Sequence, residues 1–196
     1  MAIRGKAQAE KELSEHFPSF IKAVATANSH FWTTYAKDMH RTSGRSRANV
    51  LCDWIGDELR KGLIGKTNIA FPDHYKTTSI AIGQNWYLRA HKFNEGGIVA
   101  VNDTQTCLAF IDNDLDDVVL PGFPASATVI YLGYVENISA PLSPRIVLIC
   151  PDGEGEEPAW AIELGTAPPI PVELPKESEE DETRITPKRL DREEAK

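Results

Sequence analysis

The sequence predicts an α+β fold, with long N-terminal helices packed on an antiparallel β-sheet built from a hairpin and a meander, one short inserted helix, and a disordered C-terminal tail. Three observations predict it. Apolar residues recur at steps of three and four through the first third, the spacing changes to that of strands after Pro72, and from Ala167 proline and charge replace apolar residues. The resulting boundaries are a helical region over 1–66, a sheet region of the same domain over 67–166, and a tail over 167–196. About 165 residues remain for one hydrophobic core, which is ample by the usual scaling of core with size.

The helices come first. From Ser19 to Met39, Phe20/Ile21, Val24, Phe31/Trp32, Tyr35 and Met39 fall on one stripe, and Pro18 suits the first turn, where its missing N–H is no loss. A shorter helix carrying Leu13 and Phe17 precedes it. Arg41-Thr42-Ser43-Gly44 breaks the pattern, and Ser43 or Ser46 can cap a second long helix in which Val50, Leu51, Trp54, Ile55 and Leu59 repeat. Gly62 is the expected C-cap.

The strands come next. Ser79–Ile82 and Trp86–Phe93 flank the turn Gly83-Gln84-Asn85 and read as a hairpin. Asn94-Glu95-Gly96-Gly97 is a turn into a short strand, Ile98–Val101, and Asn102 or Asp103 can cap a two-turn helix over Thr104–Ile111. The meander is Ala127–Val135, Arg145–Cys150 and Ala159–Leu164. Its middle strand is apolar on both faces, so it belongs inside the sheet, covered on both sides.

Composition and charge narrow the function classes. No apolar run approaches the ~20 residues of a membrane-spanning helix, and Met1–Lys6 lacks the apolar core of a secretory signal. Cys52, Cys107 and Cys150 are an odd number, far apart, which suits reduced thiols better than a disulfide framework. A cytoplasmic location is the expectation. The net charge of −8 is segregated: residues 1–66 hold eleven Lys/Arg against seven Asp/Glu, residues 67–170 four against thirteen, and residues 171–196 six against nine. The acidic total therefore does not exclude phosphate or acidic partners for the basic front third.

Strong catalytic signatures are missing. The five histidines show no zinc-ligand spacing, and nucleophile-elbow, Walker and dinucleotide fingerprints are absent. Two constellations remain. Asp112, Asp114 and Asp116 alternate like the start of a calcium loop, but an EF-hand counted from Asp112 needs Gly sixth and Glu twelfth, where Asp117 and Phe123 stand. A solvated turn is the simpler reading of these carboxylates. The second constellation is a basic seam, Lys37, His40, Arg41, Arg45 and Arg47 continued by Arg60, Lys61 and Lys66, with Thr42, Ser43 and Ser46 as small donors. Guanidinium groups make directional paired bonds to carboxylate or phosphate. The competing reading is a helix end whose charges are satisfied by the protein's own acidic half. Tyr87, Arg89 and His91 share one face of a strand, opposite Trp86 and Leu88, and line either a polar cleft or, more simply, the solvent side of the sheet. The four tryptophans lie on apolar faces and read as core.

Arg45-Ser46-Arg47-Ala48-Asn49 with Asp53, Trp86-Tyr87-Leu88-Arg89, Thr104-Gln105-Thr106, Tyr131-Leu132-Gly133-Tyr134 and Trp160-Ala161-Ile162-Glu163-Leu164 occur in an order that resembles a family of bacterial and prophage proteins over roughly residues 40–165. The family is encoded near helix-turn-helix regulators and metallopeptidase-like proteins, so the resemblance implies a toxin–antitoxin, phage-defence or prophage-control setting. It transfers no active-site residue.

Together these features predict a non-enzymatic regulatory or interaction protein with no cofactor, binding a protein partner through Lys37, Arg41, Arg45, Arg47 and Arg89 and through its tail. The alternative is a metal-dependent phosphoesterase or nuclease, in which Asp112, Asp114 and Asp116 hold a divalent ion. A third is a DNA-binding regulator reading phosphates with the basic helix junction.

Overall fold

The computed structural model describes residues 3–72, 79–94, 126–137, 139–152 and 157–167. Three helices lie on a sheet: α1 (Lys6–Leu13), α2 (Phe17–Tyr35) and α3 (Gly44–Leu63), with 3-10 turns at Ser14–His16 and Ala36–Arg41. The strands are β1 (Ile69–Ala70), β2 (Ser79–Ile82), β3 (Trp86–Phe93), β4 (Thr128–Val135), β5 (Arg145–Cys150) and β6 (Trp160–Thr166), in that spatial order. The α+β expectation is met. The inserted strand at 98–101, the helix at 104–111 and the tail fall outside the described residues.

One pairing departs from an all-antiparallel sheet. β3 and β4 run parallel, from Trp86 opposite Thr128 to Phe93 opposite Val135, while every other neighbouring pair is antiparallel. The hairpin and the meander are each antiparallel within themselves, and they join edge to edge with their inner strands pointing the same way. Strand periodicity says nothing about direction. The length of chain between Phe93 and Thr128 is the relevant clue, because parallel neighbours need a crossover of a dozen residues or more.

The helices cover one face. Phe20, Val24, Ala27 and Phe31 step along α2, and Leu51, Ile55, Leu59 and Leu63 along α3. They meet Ile80, Leu88, Ile130, Leu132, Ile146 and Leu148, all of zero exposure, from the sheet. Each such side chain contributes about 2 kcal/mol by its removal from water. The other face carries a second buried cluster around Tyr87, Val129, Tyr131 and Ile149. β4, inside the sheet, is consequently buried along its whole length. β5, as expected, lies inside the sheet with both faces covered.

Two helix ends differ from expectation. α2 stops at Tyr35, and the chain tightens into a 3-10 turn in place of a helix running through Met39. Gly62 is interior to α3. The terminating glycine is Gly65, at φ +79°, after the Ile64 N–H has bonded to the Arg60 carbonyl and before the Lys66 N–H bonds to that of Leu63. A left-handed residue is what such a helix end requires, and glycine adopts it without strain.

The N-terminal segment is stitched to the sheet by two indoles. Trp86 Nε1 donates to Glu12 Oε2 (2.8 Å), and Trp160 Nε1 donates to the Arg4 carbonyl (2.7 Å). The two rings meet edge to face at 6.2 Å. Both are core, as expected; Trp32 and Trp54 are only half-buried and pack on the core's edge.

Candidate functional site

The junction between α2 and α3 collects four of the predicted binding residues. Lys37 and Arg41 come from the 3-10 turn, Arg45 and Arg47 from the first turn of α3. Lys37, Arg41 and Arg45 are exposed, and Arg47 is half-buried. The segment is held by its own polar atoms. Ser43, the N-cap, accepts from the Ser46 backbone N–H through Oγ at 3.1 Å, which satisfies one of the donors a helix start leaves open. Arg47 Nη1 donates to the Thr42 carbonyl at 3.1 Å and so clamps the loop. Ser43→Ala is expected to cost about 1 kcal/mol, measured as a lowered urea midpoint with an unchanged slope.

Two local ion-pair groups lie along this layer among the described residues. Arg41 Nη1 sits 3.4 Å from Asp38 Oδ1, with side chains 74% and 55% exposed, a solvent-screened pair of small net worth. Lys61 lies between Asp57 and Glu58 one turn back along α3. Sequence reasoning missed Asp38, although an acid three residues before Arg41 is a legible helical spacing.

The basic seam is two clusters. About 22 Å of helix separates Arg45 from Arg60 at 1.5 Å per residue, so Arg60, Lys61 and Lys66 belong to the opposite end of α3. There Arg60 covers the Phe71 ring at 5.2 Å and Lys66 Nζ donates to Ser19 Oγ.

Beneath the junction, α3 rests on the C-terminal ends of β3 and β4. The Cys52 thiol bonds to the backbone of Lys92, and burial, reinforced by the charge of Asp53, pushes it up to about 12. It therefore stays a protonated, unreactive packing group at neutral pH. Burial likewise raises the Tyr134 hydroxyl well above its ordinary range; Cys52 and Glu136 add to the rise and the charge of Arg47 opposes it. Lys92 pairs with Glu136 at the rim. On the outer side of the helix pair, the exposed His30 ring stacks on Trp54 at 4.4 Å.

Arg89 comes from the opposite face of the sheet, although its charge reaches the Cys52 thiol beneath the junction. It lies on the side of β3 that carries Tyr87 and His91, away from Trp86 and Leu88, as the alternation required. That side is not the solvent face expected of it. Tyr87 is 1% exposed and its hydroxyl bonds to Ser79 Oγ at 2.7 Å, while His91 packs edge-on to Tyr131 at 5.5 Å. Burial lowers the His91 pKa, so the ring is neutral at pH 7, and its Nδ1 donates to the Lys92 carbonyl. The physical reason is that Tyr and His carry apolar ring bodies behind their polar tips, and a second core absorbs them.

Asp112, Asp114 and Asp116 lie outside the described residues. Among the described residues no group of three or more His, Cys, Asp or Glu is placed to hold a metal ion, and no helix is long and apolar enough to cross a membrane. Comparison of the chain with family models, with curated proteins and with solved structures gave no match. The fold and this surface define an α+β protein presenting a cationic helix junction at one end of its sheet.

Proposed function

We propose that this is a non-enzymatic interaction protein of regulatory type, which binds an acidic protein partner through Lys37, Arg41, Arg45 and Arg47. The observation that carries this reading is the exposure of three of these cations on a segment whose backbone is already braced by Ser43 and by the Arg47–Thr42 bond. A braced surface loses little conformational freedom on binding, so its charge–charge hydrogen bonds retain more of their strength. The Arg41–Asp38 pair is exposed enough to be exchanged for a partner carboxylate at little cost. The resemblance to the prophage family adds an expectation about setting: the partner is the product of a neighbouring gene in a toxin–antitoxin, phage-defence or prophage-control module.

Copurification from the native host tests the reading. The unaltered chain is expected to bring down a partner at low ionic strength and to lose it at high salt, since exposed charge pairs are screened. R41E/R45E is expected to weaken capture by about 3 kcal/mol, or roughly a hundredfold, while leaving the fold intact. A chain that stays bare at every salt concentration, or a variant that captures as well as its parent, would refute it. Retention of duplex DNA in place of protein, with the same arginine dependence, would favour the regulator reading instead.

A further inference from the structure

The described chain ends close to the cationic junction. Ala167 N–H bonds to the Pro144 carbonyl, and Thr166 is opposite Arg145, itself opposite Val135, so the chain leaves the sheet at the end where β3 and β4 finish. The α2–α3 junction stands at that same end. Cys52, two turns into α3, contacts the backbone of Lys92 near the finish of β3, the charge of Arg47 reaches Tyr134 near the finish of β4, and Asn28 of α2 donates to the Pro141 carbonyl in the β4–β5 loop. Two strand spacings of about 4.8 Å and one layer spacing of about 10 Å put the exit within roughly 20 Å of the junction.

The chain beyond Ala167 has the complementary charge. Residues 177–182 read Glu-Ser-Glu-Glu-Asp-Glu, five acids without a base, whereas residues 36–47 hold four Lys/Arg against one Asp. Nine residues lie between Ala167 and Glu177, and the ten chain steps from one to the other can span up to about 33 Å. The reach exceeds the distance. The other cationic cluster, at the far end of α3, is a poorer match, because about 22 Å of helix separates Arg60 from Arg45.

We propose that, in the unbound protein, the acidic run 177–182 docks on Lys37, Arg41, Arg45 and Arg47, so that the junction is covered by the protein's own tail and an acidic partner binds by displacing it. This rests on the junction being an acid-binding surface. Tethering makes the device effective with weak contacts, because a short linker holds the run at an effective concentration in the millimolar range. A partner then meets a surface whose open fraction sets its apparent affinity. The device is selective: isolated acidic segments bind more weakly than they would to an open junction, and a partner with further contacts is favoured.

The test uses the full chain and a fluorescently labelled peptide of residues 174–183, followed by anisotropy at low ionic strength. In one variant the run is neutralised as E177Q/E179Q/E180Q/D181N/E182Q. This variant is expected to bind the peptide about tenfold more tightly than the unaltered chain, and adding R41E/R45E to it is expected to abolish binding. Equal affinity of the unaltered and neutralised chains, with binding still lost on R41E/R45E, would overturn the tail proposal while leaving the junction as an acid-binding surface. Absence of binding in every chain, or binding indifferent to R41E/R45E, would remove both.

Discussion

Gly133→Ala is expected to destabilise the protein by about 3 kcal/mol or more, the upper range for overpacking a core. Gly133 lies opposite His91 in the parallel pair of β3 and β4, at the centre of the sheet. A Cβ added there would be driven into the His91 carbonyl oxygen and would stand 2.5 Å from Cε2 and 2.9 Å from Cζ of Phe93. The ring could turn away at some cost. The carbonyl belongs to the backbone of a paired strand, and moving it means breaking ladder hydrogen bonds or prising β3 from β4. Urea unfolding monitored by tryptophan fluorescence measures the loss. A companion variant separates the two obstacles: in a Phe93→Leu background the ring clash is reduced and the carbonyl clash is not, so the added cost of G133A should remain above about 2 kcal/mol. A loss below about 1 kcal/mol from G133A alone would show that the two strands do not approach as described.

Glu12→Ala is expected to cost about 2 kcal/mol at neutral pH, because hydrogen bonds to a charged acceptor exceed neutral ones and a buried donor would be left open. Glu12 Oε2 accepts from Trp86 Nε1 at 2.8 Å and from Asn85 Nδ2 at 3.0 Å, and Oε1 accepts from Gln8 Nε2 at 2.9 Å. Trp86 is 1% exposed, so no water replaces the lost acceptor without disturbing the packing with Trp160. The same contacts give a pH signature. Partial burial pushes the Glu12 pKa up, but the bonds from Gln8, Asn85 and Trp86 and the charge of Arg4 outweigh it, so the carboxyl ends below its ordinary value of 4.5. The folded state then binds its proton less readily than the unfolded state. This part of the stability is fully present above pH 4.5 and is lost as pH falls through the lower, folded value. Glu12→Gln keeps an acceptor for the indole and removes the titration. Its stability should therefore lie between those of the parent and E12A at pH 7, and should approach the parent's in acid; a difference that stays constant with pH would contradict the assignment.

Much of this molecule is legible in its residues. The stripe from Phe20 to Phe31, the cap at Ser43, the turn at Gly83 and the apolar run Ile146–Cys150 each carry a local cause, and each has the structure its cause requires. Local causes also explain the near misses. Gly62 and Gly65 flank Leu63, the last apolar residue of α3, and only the backbone path toward β1 decides which of them turns left-handed. At the junction, the clustering of Lys37, Arg41, Arg45 and Arg47 was readable because all four come from one short stretch of chain. Their division from Arg60, Lys61 and Lys66 is a consequence of the rise of α3.

The helices, most of the strands, the polarised charge and the basic character of the junction follow from local sequence, since these depend on neighbours a few residues apart. Three features emerge from packing in three dimensions: β3 and β4 are parallel, the side of the sheet bearing Tyr87 and His91 is a second core and not a solvent face, and Glu12 holds the indole of Trp86. Those outcomes pair residues distant along the chain, from Glu12 with Trp86 to Arg4 with Trp160. Such pairs leave no periodic trace, because what selects them is the joint burial of two layers, to which no single segment's pattern is sensitive.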